Sequence, residues 1–156
     1  MIGLASQLLP LMAAASLGLL AGALLAEDRL LVPYWRTLSA EAFYAGHPTY
    51  GPLLYRFFAP LTMLAPLAAV LAVVQVTLQS GDLTPRSLAA LAAAVLTCSL
   101  VAIYLLYFKS ANEAFMRRAV SATDLPTALA RWAAWHRVRV LICVAAFGLS
   151  LVTLVA

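Results

Sequence analysis

Four residues towards the C-terminal end of this chain, Trp132, Trp135, His136 and Arg139, recur at spacings of three and four and so share one face of a helix. Trp132, His136 and Arg139 form a single ridge, with Trp135 beside Arg139. An imidazole is a base near neutral pH, and indole rings offer flat apolar walls. Arg131 and Arg137 in the same stretch read as anchors that carry their charge out to headgroups. The other histidine, His47, lies in a Gly- and Pro-rich stretch, Gly46-His47-Pro48. Two histidines could together hold a haem or a single metal ion. Haem sites in membranes use histidines on facing helices, however, and Glu41, Glu113 and Asp124 supply no recognised metal-ligand spacing. No metal is therefore expected.

The elements that must position these residues are long and apolar. The chain has 156 residues, 65% hydrophobic and 10% charged, against roughly 45–50% and about 25% in soluble domains. Ile2–Ala26, Phe57–Gln79 and Ser87–Phe108 contain no charged residue, and neither does Val140–Ala156. About 20 apolar residues cross a bilayer as a helix. The expected architecture is all-α: one four-helix membrane domain over 1–156, with spans at about 2–26, 57–79, 87–108 and 138–156 and short interfacial helices in the two longer connectors. The first run lacks a basic leader and is longer than a signal-peptide core, so it reads as an anchor. Cys98 and Cys143 fall inside apolar runs and read as packing residues.

Charge sets the expected orientation. Arg29, Arg36 and Arg56 fall in the connector 27–56, and Lys109, Arg117, Arg118, Arg131, Arg137 and Arg139 in the connector 109–139, leaving Arg86 alone on the other side. The positive-inside rule makes both rich connectors cytoplasmic and both termini external, in a bacterial-type inner membrane. The formal charge of +4 is then a topology signal, and no nucleic-acid partner is expected.

Local signals divide the rest. Ser39 starts a short helix, which Gly46-His47-Pro48 should end. Pro60 then falls in the first turn of the second span, and Pro66 predicts a kink. Thr84-Pro85 caps the third span. Asp124 and Pro126 open a helix that runs unbroken through Trp132, His136 and Arg139 to the end. Ala14, Gly18 and Gly22 form a small-residue stripe suited to close helix contact, within the bundle or with a partner chain in a homo-oligomer or larger complex. No ionisable residue interrupts a span interior, which argues against an ion-coupled transporter. No phosphate-binding glycine loop, HExxH or GxSxG occurs. Of 15 aromatic residues only Phe147 lies away from the cytoplasmic connectors and adjoining helix ends. Either the interfacial helices need aromatic anchors there, or the rings line a pocket for a flat apolar ligand.

The stretches LLVPYWRTLSAEAFYAGHPTYGPLLYRFFAPL and RWAAWHRVR, with Asn112 about twenty residues before the second, resemble the anthrone oxygenase-like family of small four-helix membrane proteins. The resemblance runs from the first helix to the fourth and is most specific at Asn112, Trp132, Trp135, His136 and Arg139. It implies oxidation of an anthrone to an anthraquinone by molecular oxygen, without metal or flavin. His136 would then be the base at the benzylic carbon, Arg139 and Asn112 would stabilise phenolate and peroxide oxygens, and Trp132, Trp135 and Tyr34 would hold the tricycle, near Trp35 and His47. Two other classes fit the same chain: a structural or assembly subunit of a larger membrane complex, and a carrier or sensor of an apolar ligand such as quinone or haem.

Overall fold

A computed structural model describes residues 4–155. Ile2, where the first expected span begins, and Ala156, where the last ends, lie outside the described residues. The elements are α1 (Leu4–Ala26), a π-helical turn (Glu27–Leu31), α2 (Val32–Thr37), α3 (Ala40–Ser80), α4 (Pro85–Ile103), a second π-helical turn (Tyr104–Phe108), α5 (Lys109–Met116) and α6 (Leu125–Val155). Each π-helical turn joins its flanking helices without a break. The described chain is therefore four rods, Ser6–Thr37, Ala40–Ser80, Pro85–Met116 and Leu125–Val155, all long and apolar enough to cross a membrane.

The rods pack in a ring: α1 against α3 and α6, and α4 against α3 and α6. Their packing inverts the soluble pattern. Small residues fill the interior, including Ala65, Ala68, Ala69 and Ala72 of α3 and Ala89, Ala90, Ala93 and Ala94 of α4, while Leu19, Leu64, Leu67, Val95 and Leu141 face outward. Lipid is as apolar as leucine, so close approach through small side chains drives association in the bilayer. Interior hydroxyls bond to their own helices, as Thr97 does to the Ala93 carbonyl and Thr153 to Leu149. Arg86 ties three rods at one end, donating to the Thr153 carbonyl and to Gln7 Oε1, both at 2.9 Å. Ala14 is buried, and a Cβ on Gly18 would stand 3.0 Å from the Phe147 ring of α6, whereas Gly22 faces open space. Most of the small-residue stripe is thus consumed within the chain.

Capping follows the expected chemistry. Ser39 Oγ accepts from the Ala42 amide at 3.1 Å. Thr84 and Ser87 form a reciprocal capping box ahead of Pro85, and Gly81, at φ 69°, closes α3.

Gly46-His47-Pro48 does not end a helix, and Pro60 is not in a first turn. One helix of 41 residues runs from Ala40 to Ser80 through Pro48, Pro52, Pro60 and Pro66. A proline removes the amide that would bond to the carbonyl four residues earlier. For Pro48 that carbonyl is Tyr44, and Arg118 Nη2 supplies the missing donor at 3.1 Å. For Pro10 it is Ser6, which receives Gln79 Nε2 at 3.5 Å. Helices in membranes tolerate proline when neighbouring elements resatisfy the freed backbone group in this way. The segment 27–56 is accordingly helical almost throughout, and the first span continues past Ala26 to Thr37.

Candidate active site

The site is built from the apolar stripe of α1 upward. Leu17, Leu20 and Leu24 are buried at intervals of three and four, and the next position on that stripe is Glu27, only 6% exposed. The α-helix passes there into the π-helical turn, a feature frequent at functional sites. The second π-helical turn carries Tyr104 and Phe108 on the facing rod. Arg139 of α6 lies over the second of these rings, with its guanidinium carbon 4.6 Å from the centre of Phe108.

Above these residues lies a cavity of about 660 Å³, within the 300–1,000 Å³ typical of small-molecule sites. Trp35, Phe43, His47 and Tyr50 form one wall, Trp132 and Asn112 another, and Glu27 and Arg139 the floor. Met63 and Leu105 also line it, together with Thr62 and Val101. Met63 and Leu105 are both well exposed, and so are Lys109, Glu113 and Arg117 on the same lining. The cavity therefore opens along the gap between α3 and the rod of α4 and α5, from an apolar flank to a charged end. The walls are held by ring contacts: Trp35 stacks on Tyr50 at 5.6 Å and meets Trp132 edge-on, and Trp132 stacks on His136 at 5.0 Å.

The polar groups are fixed one by one. An indole N–H can only donate, so the 2.9 Å contact from Trp132 Nε1 makes the facing atom of Asn112 its carbonyl oxygen and leaves the amide N–H groups for another partner. His136 is fully buried. Its Nε2 bonds to the Leu24 carbonyl at 3.0 Å, and its Nδ1 faces Glu27 Oε2 at 3.7 Å. Arg139 Nε has no hydrogen-bond partner among the described residues. Asp28, also buried, turns the other way, towards the exposed Arg29 at 3.5 Å and Arg137 at 3.8 Å. Glu27, Asp28, His136 and Arg139 are all buried within helices long enough to span. The expectation that no ionisable residue interrupts a span interior concerns the charge-free runs, and the helices that carry these four side chains extend beyond those runs.

Of the residues singled out by sequence, Asn112, Trp132, Arg139, Trp35 and His47 line one cavity, and His136 sits directly behind it. Tyr34 and Trp135 are not among its walls. Tyr34 is largely exposed, and Trp135, also exposed, stacks on Tyr107 at 5.6 Å. His47 is a helical residue and not a loop one. Its Nδ1 lies 3.1 Å from Met116 Sδ, in space left by Gly51, where a Cβ would meet both side chains at 3.2–3.3 Å. Among the described residues no three His, Cys, Asp or Glu side chains gather as a metal site. The residue that sequence reasoning missed is Glu27.

Fold and site together define a four-helix integral membrane protein with an aromatic-walled cavity floored by a buried carboxylate and a buried guanidinium. The anthrone oxygenase family model matches residues 52–149, more than half of the chain, and the protein belongs to that family. The match includes Asn112, Trp132, His136 and Arg139, while Glu27, Trp35 and His47 precede it. The chain has no match among curated proteins or solved structures.

Proposed function

We propose that the protein is a cofactor-independent oxygenase that converts an anthrone-like methylene, flanked by two aryl rings, into a ketone. The observation that carries this reading is the cavity itself. Flat aromatic walls surround a lining that offers both a proton acceptor, Glu27 backed by His136, and a cation, Arg139. Loss of one methylene proton leaves a carbanion delocalised onto the substrate carbonyl oxygen. That electron-rich anion passes one electron to O₂, and recombination forms a C–O bond to a peroxide. Loss of the second methylene proton with O–O cleavage gives the ketone. One O₂ is consumed and one water formed per substrate. Arg139 and the free amide of Asn112 stabilise the anionic oxygens, and Trp132 and Trp35 hold the ring system.

In this reading residues 1–156 act as one membrane domain. The cavity lies at the cationic end of the bundle, so it faces the cytoplasm, with both termini outside. The test is aerobic conversion of emodin anthrone by the protein in nanodiscs, with oxygen uptake followed. The expected result is anthraquinone formed one-to-one with O₂ consumed, at a rate well above that of empty nanodiscs. A rate equal to theirs overturns the reading. A quinone carrier would instead retain a bound quinone through purification and leave the anthrone unchanged.

A further inference from the structure

We infer that Glu27, and not His136, receives the substrate proton, and that His136 is a positioning residue that shares that proton from behind. The inference rests on the oxygenase reading and assigns the base within it. Access comes first. Glu27 lines the cavity, whereas His136 is 0% exposed and is not among its walls. A reacting carbon in the cavity can reach the carboxylate, while the imidazole lies on its far side.

The tautomer makes the same assignment. A carbonyl oxygen only accepts, so the 3.0 Å contact to Leu24 puts a hydrogen on His136 Nε2. In the neutral ring Nδ1 then carries a lone pair. That nitrogen is buried without a hydrogen-bond partner, and it points at Glu27 Oε2 across 3.7 Å. A carboxylate oxygen and an imidazole lone pair thus face one another in an apolar interior. Two acceptors so placed repel, and one proton between them, on either atom, converts the repulsion into a hydrogen bond. The pair is a vacancy for a single proton.

Charge conservation fits this vacancy. With Glu27 ionised, the floor holds one carboxylate and, at Arg139, one guanidinium, both lining the same cavity. When the substrate C–H bond breaks, its proton forms an O–H bond at Glu27, and the electron pair remains on carbon and spreads to the carbonyl oxygen beside Arg139. One negative charge leaves the carboxylate as another appears on the substrate. The site's net charge is unchanged, so no ion has to enter or leave the low-dielectric interior during the step.

The experiment measures anthrone oxidation and, separately, quenching of tryptophan fluorescence by the anthraquinone product in wild type, Glu27→Gln, Glu27→Asp and His136→Gln, all in nanodiscs. Glu27→Gln is expected to bind the product within about twofold of wild type and to lose about a hundredfold or more in turnover, the range for a general base. Glu27→Asp should bind equally well and recover part of the rate. His136→Gln is expected to lose about tenfold and to keep a primary isotope effect with methylene-deuterated anthrone, because the carboxylate still takes the proton. Turnover by Glu27→Gln above about one-tenth of wild type overturns the inference, as does a His136→Gln protein that binds product but is more damaged than Glu27→Gln. A wild type that binds the quinone yet oxidises no anthrone overturns the oxygenase reading itself and is told apart by that result alone.

Discussion

Asn112 sits where two demands meet, because its carbonyl is already spent on the Trp132 indole at 2.9 Å while its amide remains free to serve a ligand. Two substitutions separate these duties. Asn112→Asp keeps an acceptor for the indole and removes the amide donors, whereas Asn112→Ala removes both. If the amide stabilises a substrate oxygen, both variants should lose turnover by about tenfold to a hundredfold, with only Asn112→Ala also losing about 1 kcal/mol of stability from the freed indole. Full activity in Asn112→Asp would reduce Asn112 to a support for Trp132. Asn112 was singled out by the family resemblance, whereas Trp132, His136 and Arg139 were legible from spacing alone, because α6 is an unbroken helix. Glu27 was not legible in the same way. It follows a long apolar run and precedes Asp28 and Arg29, which together read as the start of a connector. The signal that would have found it is its register with Leu17, Leu20 and Leu24, one stripe continuing past the end of the apolar run. Tyr34 and Trp135 lie outside the cavity lining, a distinction that sequence does not carry, since an aromatic near an interface looks the same whether it faces a cavity or lipid.

Among the elements, α3 departs furthest from its sequence signals, and the reason is a partner far away in the chain. Local rules end a helix at Gly46-His47-Pro48, because the Tyr44 carbonyl loses its amide. The donor that replaces it, Arg118, is 74 positions distant and invisible to any local pattern. Arg118 itself adopts φ 52° at the end of α5, a left-handed position that usually belongs to glycine. Bonds from Ala119 to the Ala114 carbonyl and from Arg118 to Phe115 close that turn, and the Tyr44 hydroxyl donates to the Val120 carbonyl at 2.7 Å. The turn and the proline are therefore one device. Pro48→Ala should restore the amide and make Arg118 dispensable. Arg118→Ala is expected to cost about 1–2 kcal/mol in the wild-type background and at least about 1 kcal/mol less in the Pro48→Ala background, measured by thermal unfolding in detergent. Equal costs in both backgrounds would uncouple them. The caps at Ser39 and Thr84, by contrast, were readable because their partners lie within three residues.

For the whole molecule, the count of membrane-crossing helices was plain from composition, while their lengths were not. Polar residues such as Glu27, Asp28 and Asn112 continue the helices beyond the apolar runs that announce them, and that continuation brings the charged floor into the bundle. The opening between α3 and α4, edged by Met63 and Leu105, carries a different consequence. If the proposed substrate enters past these two apolar side chains, rather than past Lys109, Glu113 and Arg117 at the charged end of the cavity, the solvent from which it is drawn is the bilayer, and the relevant concentration is two-dimensional. An anthrone partitions into lipid, and adding empty lipid at fixed total substrate should dilute it away from the protein. The expected outcome is a KM that rises in proportion to lipid when written in molar units and stays constant when written as a mole fraction of the membrane. A molar KM indifferent to added lipid would mean delivery through water. With lateral delivery, the working affinity of the proposed oxygenase becomes a property of the surrounding membrane as much as of its own residues, and the same chain would run at different rates in membranes that dissolve its substrate differently.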